Sequence, residues 1–361
     1  MIQENLISRN IKKRVSRRNR EEIKKKNKFK SIVFYIIFTV LFTIITAPFI
    51  LVYGPFKNAK KTFIGTAMES MHYQWIATMF LSQDKINEIL EINTEVEEVV
   101  EETEKQDSSF IDIPKRKDDT IELQELGDEN KKFKGYALII KDPTRVKIGI
   151  SSKLAEKKGE TVSEIAERYD AVAAINGGYF TDEEGAEKWT SNGGIPVKFL
   201  MSEGNIINDI NHDEETLILA ITKEGKMLVG ETTVNELLEK KERQEDNVVE
   251  AMGYEVTLIK GGKKCNLKNC HVTGSAPRTL IGQREDGAIV MVVLNSDSDL
   301  PGERLCATMT ECQKLMSDLG CYNAINLDGG KSTTMYLNGD IINNPSYSLG
   351  ERQISSGFIV K

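Results

Sequence analysis

Three short runs of small and polar residues hold the groups best suited to chemistry. In Asn176-Gly177-Gly178 an apolar run, Ala171 to Ile175, ends in an amide side chain and two residues free to adopt positive φ, which bares backbone N–H groups. From Ile325 to Thr334 the device recurs with a carboxylate: Asn326 and Asp328 precede Gly329 and Gly330, and hydroxyls follow at Ser332 and Thr333. Between them, Ser275-Ala-Pro-Arg278-Thr279 brings a cation to the start of a strand. One such run alone is a tight turn. Three, each placing polar side chains at a strand end, point to a site. The Gly330-Lys331-Ser332 string is not a Walker loop, which needs Gly five residues before the Gly-Lys pair, where Ile325 stands. Histidines at 72, 212 and 271 alone, without a Gly-x-Ser-x-Gly elbow, leave little material for a Ser-His-Asp hydrolase.

Positioning these turns requires many short strands. Tyr136 to Lys141 and Arg145 to Ile150 read as a strand pair about Asp142-Pro143. Further strands are expected at Thr216 to Ile221, Lys226 to Val229, Glu255 to Lys260, Arg278 to Gly282, Ile289 to Leu294, Thr333 to Leu337 and Ser355 to Val360. Helices are expected at Thr161 to Arg168, Val234 to Lys241 and Cys306 to Leu319. The expectation is an α+β domain over 135–361 with a mixed, largely antiparallel sheet and few helices. Cys265 and Cys270 enclose a four-residue polar loop suited to a disulfide in an oxidising exterior; buried thiols are the alternative, and no second ligand pair supports zinc.

The charge distribution places this domain. Residues 1–30 carry 12 Lys/Arg and 3 Glu, whereas the remaining chain is strongly acidic, a poor nucleic-acid surface. Ser31 to Phe56 holds no charge and is long enough to span a bilayer, so 31–56 reads as a transmembrane helix rather than a cleaved signal. The basic flank then keeps the N-terminus cytoplasmic and puts the C-terminal domain outside, as a single-pass protein of the cell membrane. Over 57–134 a stripe of Ile64, Met68, Met71, Trp75 and Met79 reads as a membrane-proximal helix, packed either on the bilayer or on protein, and 91–107, with eight acidic residues, as a solvated stalk.

Ala174 to Phe180, Pro277-Arg-Thr279 with Ile281-Gly282, Asn326-Leu-Asp-Gly-Gly330 with Ser332 to Met335, Asn344-Pro-Ser346 and Glu351-Arg352 resemble, in order, the blocks of the phosphodiester glycosidase family. The chain departs from that pattern at Lys331, where a third Gly is usual, and at Gln353 to Ser356, which replaces Pro-Val-x-Asn. The resemblance implies hydrolysis of a sugar-1-phosphodiester in a glycan or cell-envelope polymer such as an exopolysaccharide. A non-catalytic glycan-binding or envelope-assembly factor is the alternative. Breaking the anomeric C–O bond expels a phosphomonoester, a good leaving group, so neutralising phosphate matters more than a strong general acid. Asp328 and Glu351 are then the catalytic candidates, and Arg278 and Arg352 the phosphate ligands. Asn176 and Asn326 are assigned to sugar hydroxyls, with Gly177, Gly178, Thr279, Gly329, Gly330, Ser332 and Thr333 completing the binding set. No cofactor is expected; a divalent cation at Asp328 stays open because the hard-ligand set is thin.

Overall fold

Phe133–Ile140 and Ile289–Ser296 lack the polar alternation of a half-exposed strand, because both of their faces are covered. Leu138, Ile140, Ile289, Met291 and Val293 point into one core, while Ala137, Ile139, Val290, Val292 and Leu294 point into another. In the computed structural model the described residues are 30, 32–69, 74–89, 111–113, 118–127, 132–181, 192–242, 247–267, 270, 272, 274–296, 306–346 and 350–361. The basic tail, the acidic run, Met71, His72 and His271 lie outside them.

The chain divides into Met1–Lys60 and Lys61–Lys361. In the first unit, Ile32–Tyr53 is one helix of 22 residues with mean hydropathy 2.4, long and apolar enough to cross a membrane. In the second, every named strand pairing among the described residues is antiparallel. A seven-stranded sheet runs in the order Ile121–Gly127, Phe133–Ile140, Ile289–Ser296, Arg278–Arg284, Cys321–Asn326, Val256–Lys260, Lys263–Lys264. One five-stranded sheet is ordered Met227–Thr232, Thr216–Thr222, Val248–Gly253, Leu200–Ser202, Asn205–Asn208, and the other Asp340–Ile341, Met335–Leu337, Ala173–Asn176, Ser356–Val360, Val146–Ile150. All three sheets contribute to one core, with Met291 and Ile281 from the first, Leu219 and Met252 from the second, Ile175 and Phe358 from the third. Each sheet is backed by one helix: Met309–Asp318, Val234–Glu242 and Val162–Arg168 respectively.

Two of those helices begin at complete capping boxes, Thr161 with Glu164 and Thr308 with Glu311, which satisfy otherwise orphaned N–H groups. The expected pairing of Tyr136–Lys141 with Arg145–Ile150 does not form. Asp142 accepts from Thr144 N–H and caps a 3-10 turn over Pro143–Arg145, so the chain leaves the seven-stranded sheet and enters another.

The Cys265–Cys270 disulfide is also corrected: all five cysteines are thiols. Cys265 is 2% exposed, its N–H bound to Leu258 O and its carbonyl to Gln313 Nε2, while Cys270 Sγ donates to Val272 O at 3.4 Å. Burial pushes the thiols of Cys312 and Cys321 up to about 12. Mass mapping of non-reduced peptides should therefore find no Cys265–Cys270 linkage, and Cys312 and Cys321 should resist alkylation until the protein unfolds; a linked peptide would contradict this geometry.

Candidate active site

The strand Cys321–Asn326 lies between Arg278–Arg284 and Val256–Lys260, with Asn326 opposite both Leu280 and Val256. It leaves the sheet at Leu327, whose N–H still reaches Thr279 O at 2.9 Å. The next residue, Asp328, donates its N–H to Gly177 O at 3.2 Å, so the turn from the seven-stranded sheet is tied to the turn that ends Ala173–Asn176. Gly329 and Gly330 follow. A Cβ at 329 would stand 2.6 Å from Pro277 O, and Gly330 has φ +61 and gives its N–H to Pro277 O, so both positions need glycine. Gly177 N–H binds Ser356 O, and a Cβ on Gly178 would press on Met252 Sδ at 3.0 Å. All three sheets thus meet at this point.

Asn176 is the joint. Its Nδ2 donates to Asp328 O at 2.6 Å, and its Oδ1 accepts from Thr279 Oγ1 at 2.7 Å and Thr334 N–H at 3.2 Å. The residue is fully buried and its amide is spent on protein, which is at odds with the sugar contact expected of it. Thr279 is likewise a support for Asn176. Asn326 keeps more capacity: Nδ2 reaches Leu327 O and Tyr179 OH, while Oδ1 is buried without a partner among the described residues. Ser332, Thr333 and Thr334 carry buried hydroxyls in the same condition, so four orphaned polar atoms fall within residues 326–334. Native interiors rarely leave such atoms unpaired.

Burial pushes the Asp328 carboxyl up to about 6, against the pull of the Ser332 hydroxyl, the Arg352 charge and the Gly329 N–H. Ser332 Oγ makes no hydrogen bond of normal geometry among the described residues. Arg352 is half-buried, with its guanidinium 4.6 Å from the centre of the Phe180 ring. Tyr179, beside Asp328, has its phenol pushed far above the ordinary value by burial first and by the Asp328 charge second.

The structure turns two expected partners elsewhere. Glu351 accepts from Ser163 N–H at 3.0 Å and from Ser163 Oγ, and so is committed to the first turn of Val162–Arg168; the charged side chain that acts on Asp328 is its neighbour Arg352. Arg278 is 3% exposed and gives Nη2 to Gly274 O at 2.7 Å and Nε to Ala307 O at 3.3 Å, which buries its fork in backbone carbonyls. Lys331, where the family pattern has Gly, is exposed and does not have positive φ, so the turn accommodates it. Residues outside the expected set also shape the turn. Asn343 bonds Asn295 Oδ1, Thr333 O and Met335 N–H, and Ser346 Oγ bonds Gly330 O. Tyr179 had a signal, lying in the same Asn-Gly-Gly-Tyr run, but Asn343 had none. Among the described residues no three His, Cys, Asp or Glu side chains gather as metal ligands.

A family model described as phosphodiester glycosidase matches residues 169–361, more than half of the chain. N-acetylglucosamine-1-phosphodiester alpha-N-acetylglucosaminidase from Bos taurus is 26% identical over 207 residues, 53% of this chain and 36% of that protein; the Homo sapiens protein of that name is 27% identical over 53% and 37%. The SPbeta prophage-derived protein YomE of Bacillus subtilis is 28% identical over 57% of this chain and 29% of its own length. The chain therefore spans only about a third of the curated relatives it matches. The catalytic domain of the zebrafish N-acetylglucosamine-1-phosphodiester alpha-N-acetylglucosaminidase, solved auto-inhibited by its pro-peptide, has a TM-score of 0.55 at 21% identity, over 69% of this chain and 86% of that one, and shares its fold. On the matched half of its length and the ordered turns it contains, the chain belongs to the phosphodiester glycosidase family.

Proposed function

We propose that the chain is a membrane-anchored hydrolase that cleaves a sugar-1-phosphodiester link in a glycan or cell-envelope polymer on the extracytoplasmic side. The observation that carries the reading is Asp328: a carboxyl held by glycine turns from two sheets, raised to about 6 by burial, with the Arg352 cation acting on it and four unpartnered polar atoms in its own turn. Those atoms supply hydroxyl and amide groups for a polar ligand. In the ionised state Asp328 takes a proton from water attacking the anomeric carbon. The C–O bond breaks with its electron pair going to the phosphate oxygen, Arg352 neutralises that charge, and the proton passes on to the released phosphomonoester. The apolar helix Ile32–Tyr53 and the basic residues before it support the anchor and its orientation.

A second reading, a non-catalytic glycan-binding or assembly factor, draws on Glu351, whose engagement by Ser163 commits the second of the two expected carboxylates to a helix turn. Purified full chain in detergent, given sugar-1-phosphodiesters, decides between them. The enzyme should release free reducing sugar, with kcat/KM rising as pH climbs through about 6, where Asp328 ionises. Arg352→Gln removes a charge that lowers the Asp328 pKa, so it should move that limb to higher pH as well as weaken phosphodiester binding. Binding of polymer with no sugar released from any phosphodiester tried would leave the binding factor.

A further inference from the structure

The stripe ahead of the sheets divides into a packed side and a bare one. Ile64, Ala67, Met68, Ala77 and Ile86 form a small core of their own, built from the helices Lys57–Glu69, Gln74–Thr78 and Gln83–Ile89. The first of these helices meets the loop ahead of Arg278–Arg284: at Gly274 (φ +98) a Cβ would lie 2.9 Å from Gly65 O. Trp75 and Met79, one turn apart, face outward instead, 57% and 61% exposed, with the exposed Thr78 beside them.

We propose that this face lies on the bilayer entered by the chain's own span, with Trp75 and Met79 in the boundary between headgroups and acyl chains. The proposal rests on the membrane-anchored reading. The chain supplies the proximity, since Trp75 follows the last residue of the apolar helix, Tyr53, by 22 positions (75 − 53). It also supplies the chemistry. An indole pairs a large apolar body with an N–H donor and favours that boundary, and the first helix of the bundle carries Lys57 and Lys60, suited to anionic headgroups. Size argues against a second protein copy. Aromatic side chains present roughly 150–250 Å² each when fully bared, so two half-exposed side chains fall far short of the about 800 Å² per partner of a stable interface. Because Lys57–Glu69 meets the Gly274 loop, docking the bundle would hold that loop near the membrane surface, where an envelope polymer is met.

The experiment reconstitutes the full chain in phosphatidylcholine–phosphatidylglycerol vesicles. Trp189→Phe leaves Trp75 as the single tryptophan. Its emission should shift to the blue, be lost when brominated phosphatidylcholine replaces the ordinary lipid, and resist iodide present on both sides of the vesicle. Met79→Trp in a Trp75→Phe, Trp189→Phe chain moves the reporter by one turn and should behave alike, guarding against a local defect in either variant. If the chain floats with the vesicles while iodide quenches Trp75 and bromine does not, the proposal is overturned. Shielding from both quenchers means that protein covers the face, and overturns it too. A chain that does not float removes the anchor reading and this one with it.

Discussion

Asp328→Asn should lower kcat for sugar-1-phosphodiester hydrolysis by ~10²-fold or more while polymer binding survives, because the amide keeps the shape of the carboxyl and loses its charge and its capacity to take a proton. The same substitution should stabilise the fold. Burial holds the Asp328 carboxyl at about 6, above its ordinary value of 3.8, so folding favours the protonated form. That contribution is complete below the unfolded value and is lost as pH rises through about 6, which leaves the native protein carrying a disfavoured charge at neutral pH. Removing it should raise the melting temperature at pH 7, with a gain in stability of about 3 kcal/mol from a shift of roughly two pKa units, and the gain should shrink at pH 4. Activity down and stability up together mark a group kept for chemistry. An unchanged rate, or a rate loss explained by a lower melting temperature, would remove Asp328 from the reaction.

The motif residues were legible because their signal is local. A strand that ends in Asn-Gly-Gly or Asp-Gly-Gly announces a tight turn wherever it occurs, and Asn176, Asp328, Gly329 and Gly330 all meet at such a turn, with the Gly177, Asp328 and Gly330 amides bonded to protein carbonyls instead of bared. Their division of labour was not legible, because it depends on partners far away in sequence. Asn176 is committed by Thr279 and Thr334, more than a hundred positions on, and Glu351 by Ser163. The strand Ile121–Gly127 also escaped: its Glu122, Gln124 and Glu125 are exposed at the sheet edge and merge in composition with the acidic run before it. Among the elements that were read, pairing was the weak point. Asp142 and Pro143 mark a turn in either case, and whether the chain folds back on the same sheet or passes to another is decided by cores that local residues do not specify.

Asn176→Ala should be among the most destabilising single substitutions in the domain. The truncated side chain leaves the Thr279 hydroxyl, the Thr334 N–H and the Asp328 carbonyl without their partner in a buried setting. Each such loss costs about 1–3 kcal/mol, and a domain has only about 5–15 kcal/mol to lose. Asn176→Asp tests whether the hydrogen bonds or the packing matter. The introduced carboxylate still accepts from Thr279 and Thr334 but sets an oxygen against Asp328 O, where only a donor fits. Protonation restores that donor, so the folded state should raise the pKa of the new group, and stability should recover as pH falls through it. Thermal melts of the two variants across pH separate the roles. If Asn176 bound sugar instead, both variants would melt like the parent and differ only in KM. If it is the joint between sheets, melting temperature falls in both at neutral pH, kcat falls because the Asp328 turn is no longer held, and acid rescues the fold of Asn176→Asp alone.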